Sequence, residues 1–197
     1  LHAAPGSLHI EHLAIDSDRG RFSAHGDYLP REDFSSDLRA TAVLPAPSGQ
    51  TPPRLGLVAM GDLSDMYVAI GGRAPAPLRA ILTLRGDQDR PRWQVRANSD
   101  ALDIGLLGGT GEASTPLAFK LTADGLGGSA NLHGSVQQGD FAATLQPSKL
   151  SLEDRVLRLQ PLVLDVFGGR VTATGIADLR AADETATHQG QIKLAVN

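Results

Sequence analysis

The sequence predicts an all-β protein: an elongated, strongly curved antiparallel sheet, a repeating β-groove with an apolar concave face. Three observations carry that expectation. Apolar and polar residues alternate in short segments along the whole chain, which is the period of a half-buried strand. The turn signals "DSDRG", "GDQDRPR", "ADGLGG", "QQGD" and "GG" separate those segments, at intervals near the ~8–12 residues of a chain of short antiparallel strands. No long stripe at helical spacing competes with them.

Taken in order, the alternating segments are "LHI", "RFSAHGDY", "DLRATAV", "RLGLVAMG", "LTLRG", "RWQVRA", "LAFKLTA", "DFAATLQ", "KLSL", "RLQPLVLDV", "RVTATG" and "QIKLAV". The pattern is weakest in "YLPREDFSSD" and "GDLSDMYVAIGG", which are compatible with a single helical turn, and in "PAPSGQTPPR", Pro45 to Arg54, which reads as a Pro-rich loop. The whole chain, residues 1–197, is expected to form one β-groove segment. An open twisted sheet of a dozen or so strands curls. Alternation gives one face Leu, Ile, Val, Phe and Ala, and turns Arg, Asp, Glu, Thr and Gln to water.

One pattern is written twice. Leu8, Ile10, Leu13, Ile15, Gly20, Phe22, Ala24 and Gly26 match Leu157, Leu159, Leu162, Leu164, Gly169, Val171, Ala173 and Gly175 in kind, every pair 149 residues apart. The slip between Ile10 and Leu13 recurs between Leu159 and Leu162, and a Gly opens the return strand in both. In "FKLTADGLGGSANLHG" a weaker third copy places Gly128, Ala130, Leu132 and Gly134 on the return strand. Such self-similarity belongs to an elongated sheet or solenoid whose units stack on their neighbours.

Composition narrows the function classes. Aromatic residues are 4% of the chain, with one Trp and two Tyr, which is thin for an enzyme cleft or for a sheet that stacks bases. The formal charge is −4 and the 18 basic residues are spread along the length. Nucleic acid binding needs clustered Lys and Arg, so none is expected. The absence of cysteine removes disulfides and thiolate metal sites and fits an oxidising compartment. No apolar run reaches the ~20 residues that span a bilayer, so no transmembrane segment is expected. The chain begins at Leu1 without Met or a signal-peptide pattern, which reads as a piece of something longer.

The chemical motifs are weak beside their structural readings. "HIEH" with His25 could place His9, Glu11 and His25 on neighbouring strands, a set that zinc accepts. The spacing matches no known signature, and polar cross-strand pairs are commoner; no metal or cofactor is expected. "DSDRG" opens like a calcium loop but lacks the closing bidentate Glu and reads as a polar turn. "LLGGTGEAST" lacks the Lys-Ser/Thr ending of a phosphate cradle and a helix to follow it, so its glycines serve turns. There is no Gly-x-Ser-x-Gly elbow and no paired carboxylate to act as acid and base. An enzyme is not expected, and no catalytic residue is named.

The segments "RPRWQVRANSDALDIGLL" and "TPLAFKLTADGLGGSANLHGSVQQGDFAATLQPSKLSLEDRVLRLQPLVLDVFGGRVTATGIADL" resemble the TamB family of the AsmA-like superfamily. The resemblance covers roughly Arg54 to Leu179, with a further unit at Leu8 to Tyr28. Its most specific parts are the Trp93 strand leading into "ALDI", the "LSLEDRVLRLQPLVLD" couplet and the Gly-Gly return. It implies a periplasmic segment of a large protein anchored in the inner membrane. It also implies a taco-shaped β-groove with an apolar interior that carries phospholipid between the inner and outer membranes. The alternative that the family offers is a β-scaffold for outer-membrane and autotransporter proteins, working with the barrel partner TamA.

The expected groove lining, in contact with phospholipid acyl chains, is Leu8, Ile10, Leu13, Ile15, Phe22, Leu82, Leu84, Trp93, Val95, Phe119, Leu121, Phe141, Leu157, Leu159, Leu162, Leu164, Val171 and Ala173. Alternating apolar residues are equally what one half of an ordinary β-sandwich core presents. What lies against the apolar face separates the two.

Overall fold

The computed structural model describes residues 2–4, 7–29, 34–87, 89–108, 112–178 and 190–196. Fourteen strands follow one another in sequence: β1 (His2–Ala4), β2 (Ser7–Ser17), β3 (Gly20–Leu29), β4 (Ser35–Val43), β5 (Arg54–Gly61), β6 (Asp65–Arg73) and β7 (Pro77–Arg85). After these come β8 (Arg92–Leu102), β9 (Leu117–Leu126), β10 (Ser129–Gln138), β11 (Phe141–Glu153), β12 (Val156–Val166), β13 (Gly169–Asp178) and β14 (Gly190–Val196). All fourteen form one sheet whose spatial order is the sequence order, and every pair is antiparallel. The sheet is strongly curved and open, not closed into a barrel.

Tight turns make this meander. Phe167 and Gly168, with φ of +51° and +78°, connect β12 to β13 by two residues. Two central residues of positive φ match the twist of the flanking strands. Asp154 and Arg155, at +48° and +63°, turn β11 into β12 in the same way. The Pro-rich segment is the loop expected, and its base is closed: the Leu44 N–H donates to the Pro53 carbonyl at 3.0 Å, and both residues are buried.

Three local expectations need correction. The segment "GDLSDMYVAIGG" holds no helical turn; it is a polar turn followed by β6. Asp62 Oδ1 makes that turn by accepting the Ser64 N–H at 2.7 Å and the Asp65 N–H at 3.1 Å, the local bonding that makes Asp a turn residue. In "YLPREDFSSD", residues 30–33 lie outside the described structure and Ser35–Asp37 belong to β4. Gly128 sits in the turn before β10, one residue ahead of the strand.

The one helix among the described residues, α1 (Ile104–Leu107), is a single turn at the end of β8. Asp103 caps it, accepting the Leu106 N–H at 3.2 Å and both the N–H and the hydroxyl of Ser114 at 2.8 Å. Burial would raise the Asp103 carboxyl, but the hydrogen bonds from Ser114, Leu106 and Gly105 outweigh it and hold it below the ordinary carboxylate value. Four residues are too short to write a helical period into the sequence.

Among the described residues buried apolar side chains are few: Leu44, Pro53, Ala74, Leu102, Leu106, Ala130, Ala143 and Ala173. Strands make substantial contact only with their neighbours in the ladder. Among the described residues no second sheet or helical layer faces the first, so the sandwich arrangement is not present.

Candidate functional site: the continuous apolar face

In an antiparallel ladder directly opposite residues project to the same side, so the register assigns every strand position to a face. Leu13, Ala24, Ala40, Leu57, Ile70 and Ala80 stand opposite one another from β2 to β7. Ala97, Leu121, Gly134, Leu145, Leu164 and Val171 continue the same row from β8 to β13. The parallel row through Phe22, Ala42, Leu55, Leu78, Phe119 and Val136 is also apolar but for Ser99. No charged residue occupies this face on any described strand.

All eighteen residues expected in the lining fall on this face. Leu8, Ile10, Leu13 and Ile15 lie opposite Tyr28, Gly26, Ala24 and Phe22. Leu157, Leu159, Leu162 and Leu164 lie opposite Ala177, Gly175, Ala173 and Val171. Each of these pairs is separated from its counterpart by the same 149 residues, so the repeated sequence folds to a repeated register. Leu82 faces Val95 and Leu84 faces Trp93; Phe119 faces Val136, Leu121 faces Gly134, and Phe141 faces Gln138.

The slip has a structural cause. Ile10 and Leu13 are three residues apart, as are Leu159 and Leu162, and in a regular strand such residues face opposite sides. The register shifts at both places. The extra residue of each bulge returns the later pair of leucines or isoleucines to the apolar side. Pro161 lies in the second bulge, where a missing N–H costs the ladder least. Gly26, opposite the first bulge, has φ of +132°, and a Cβ there would collide with the Asp37 carbonyl oxygen.

The face is open. Ile15 is 49% exposed, Phe22 37% and Leu121 36%, values that a covered core does not allow. At the β2 to β6 end a cavity of about 280 Å³ is lined by Leu13, Ile15, Phe22, Leu55, Leu57 and Ile70 over a floor of Ala24, Ala40 and Ala42. Alternating large and small side chains make a trough here. Two serines on the face are buried: Ser148 Oγ donates to the Gln146 carbonyl at 2.7 Å and accepts the Val163 N–H at 3.0 Å. Ser99 is buried with its hydroxyl unpaired.

Sequence reasoning missed the lining from β4, β5, β6 and much of β10 and β11: Leu38, Leu57, Val68, Ile70, Leu132 and Leu145 share the face. Their alternation was visible, but which of two faces they joined depends on a register that one strand alone does not carry. A second concavity, about 1110 Å³ and larger than the first, lies on the polar side between β7 and β12, lined by Arg85, Arg92, Asp124, Lys149, Glu153 and Arg158 among others. Concavity is therefore not confined to the apolar side, as expected of a sheet that both twists and curls.

The other motifs resolve as polar pairs. His9 bonds Asp27 directly across β2 and β3, while His25 stands opposite Arg39. Among the described residues no cluster of three metal-ligating side chains occurs. Asp165 takes two hydrogen bonds from Arg170, at 2.7 and 3.0 Å, and one from Gln146. The Arg170 guanidinium holds its carboxyl below the ordinary value.

Comparison with protein-family models, curated proteins and solved structures finds no match to this chain. The resemblance to TamB rests on the sequence pattern alone.

Proposed function

We propose that this chain is a periplasmic segment of a bridge-like lipid carrier, in which phospholipid acyl chains lie along the apolar face and move between the inner and outer membranes. The observation that carries the reading is the uncharged row from Leu13 to Val171, continuous over twelve strands and left open to solvent. An exposed apolar surface of that extent calls for an occupant. A flexible hydrocarbon fits one without polar anchors, since each methylene taken from water gains about 0.8 kcal/mol. Movement along such a wall needs no catalytic group and no bound cofactor. Anchoring of the full-length protein in the inner membrane and work with TamA belong to the same proposal.

The experiment is lipid extraction and native mass spectrometry of the purified chain, beside a Leu57→Arg variant. Co-purified phospholipid that is lost in the variant supports the carrier. A lipid-free protein that instead pairs with strands of outer-membrane proteins through a sheet edge supports the scaffold reading.

A further inference from the structure

The polar side of the sheet gathers what the sequence scatters. On β4 and β5 it carries Arg39 and Arg54, on β6 and β7 Arg73, Arg79 and Arg85, and on β8 Arg92 and Arg96. All seven are exposed. Against them stand Asp37, Asp65 and, at the β8 bulge, Asp100, in a chain whose formal charge is −4. This corrects the expectation of evenly spread basic residues.

Inside the arginines lies an apolar island. Val58, Ala69 and Ile81 stand opposite one another, with Arg39 and Arg96 at the two ends of their row. Met60 and Tyr67 pair in the next row. Met60, Tyr67 and Ile81 are 40%, 39% and 39% exposed. On the other flank Gly56 faces Gly71, and a Cβ at Gly71 would meet nothing within 4 Å, so bare backbone forms a shallow pit beside the island.

The charges here work against folding. Arg54 lies directly opposite Arg73, and Arg85 opposite Arg92, and like charges so placed destabilise a sheet. Only Arg39 and Arg85 reach a carboxylate among the described residues, Asp37 at 3.7 Å and Asp65 at 3.8 Å. Arg54, Arg73 and Arg92 reach no carboxylate among the described residues, and a local rule broken in this way is expected at functional surfaces.

We propose that this face docks an acidic protein surface, which sets an apolar side chain against Ile81 and the Gly56–Gly71 pit while its carboxylates pair with the surrounding arginines. Arg, Tyr and Met are the residues that concentrate at interface centres, and the guanidinium fork matches a carboxylate in two bonds. A lipid surface fits less well, because interfacial binding needs apolar groups that reach ~5–10 Å inward and these lie among longer arginines. Single-stranded nucleic acid would need stacking platforms, and Tyr67 is the one aromatic on this face of β4 to β8. The inference uses the side opposite the apolar groove, so it stands or falls apart from the lipid reading.

The test titrates the purified chain with a labelled peptide alternating Glu and Leu, with polyglutamate, with phosphatidylglycerol vesicles and with an oligothymidylate. Binding of the Glu/Leu peptide about tenfold or more tighter than polyglutamate is expected, weakening with salt. Ile81→Asp, its milder companion Ile81→Thr and the double change Arg79→Glu with Arg96→Glu should each weaken that binding, the charged changes about tenfold, with melting temperature and lipid content unchanged. The proposal is overturned if no peptide binds, if polyglutamate binds equally well, if vesicles or the oligothymidylate bind more tightly, or if peptide binding survives all three variants.

Discussion

Trp93 lies across Gly125 on the adjacent strand. A Cβ placed at Gly125 would fall 2.5 Å from the ring atoms Cε2 and Cζ2, and the indole Nε1–H donates to the Gly127 carbonyl at 2.9 Å. A glycine opposite an aromatic in the ladder gives the ring a bare backbone to cover, and the ring shields a strand that glycine would weaken. Gly125→Ala should therefore destabilise the chain by about 1–3 kcal/mol through overpacking, and Trp93→Phe by about 1 kcal/mol through the lost hydrogen bond. Urea unfolding measures both, and the single Trp of the wild type reports the alanine variant by its own fluorescence.

Asp103 ties α1 to the strand end, and its removal should be felt there. Asp103→Ala is expected to cost about 1–2 kcal/mol as a lost cap. The carboxyl is held below its unfolded value, so its contribution is complete above about pH 4 and fades as pH falls through the lower, folded value. Melting curves recorded down the acid range should show wild type and Asp103→Asn converging; a difference that widens toward acid would contradict the assignment.

The bulge at Gln160 and Pro161 holds Leu157 and Leu159 on the same side as Leu162 and Leu164. Deleting Pro161 leaves Leu159 and Leu162 two residues apart, so regular alternation keeps both pairs on the apolar side, but β12 then falls one residue short of the matching step from Leu145 to Ser148 in β11. The loss should reach about 1 kcal/mol or more, with ladder hydrogen bonds between β11 and β12 broken. Equal stability of the deletion variant in chemical unfolding would mean that the bulge of β12 is not needed to match the step in β11.

On the proposed carrier reading, charge on the apolar face should disable lipid passage without unfolding the sheet. Leu164→Arg sets a guanidinium in the central row, at a cost of a few kcal/mol to a hydrocarbon path, roughly that of an Arg inside a membrane span. Ser135→Arg places the same charge on the polar side. Lipid content should drop in the first variant and hold in the second, with unchanged circular dichroism in both.

Much of this architecture was legible because period two and turn chemistry are local. The recurrence of Leu8 to Gly26 as Leu157 to Gly175 announced both the hairpins and their bulges, since a spacing of three between Ile10 and Leu13 breaks alternation wherever it is read. The helix at Ile104 was hidden by its length, and β6 by the Asp62 turn ahead of it, whose polar residues also suit a helix start. Least legible was anything that needs register across several strands. Leu57 and Ile70 join the apolar row, and Arg54 meets Arg73, only once neighbouring strands are aligned, so both the missed lining and the arginine face came from the fold.

The most direct measurement of the central claim places a photocrosslinking residue at Leu164 in the protein, with a second at Ser135 on the opposite side, and irradiates living cells. The account predicts phospholipid adducts from position 164 and none from 135. Crosslinks from 164 confined to the protein's own chain, or lipid adducts equal at the two positions, would contradict it.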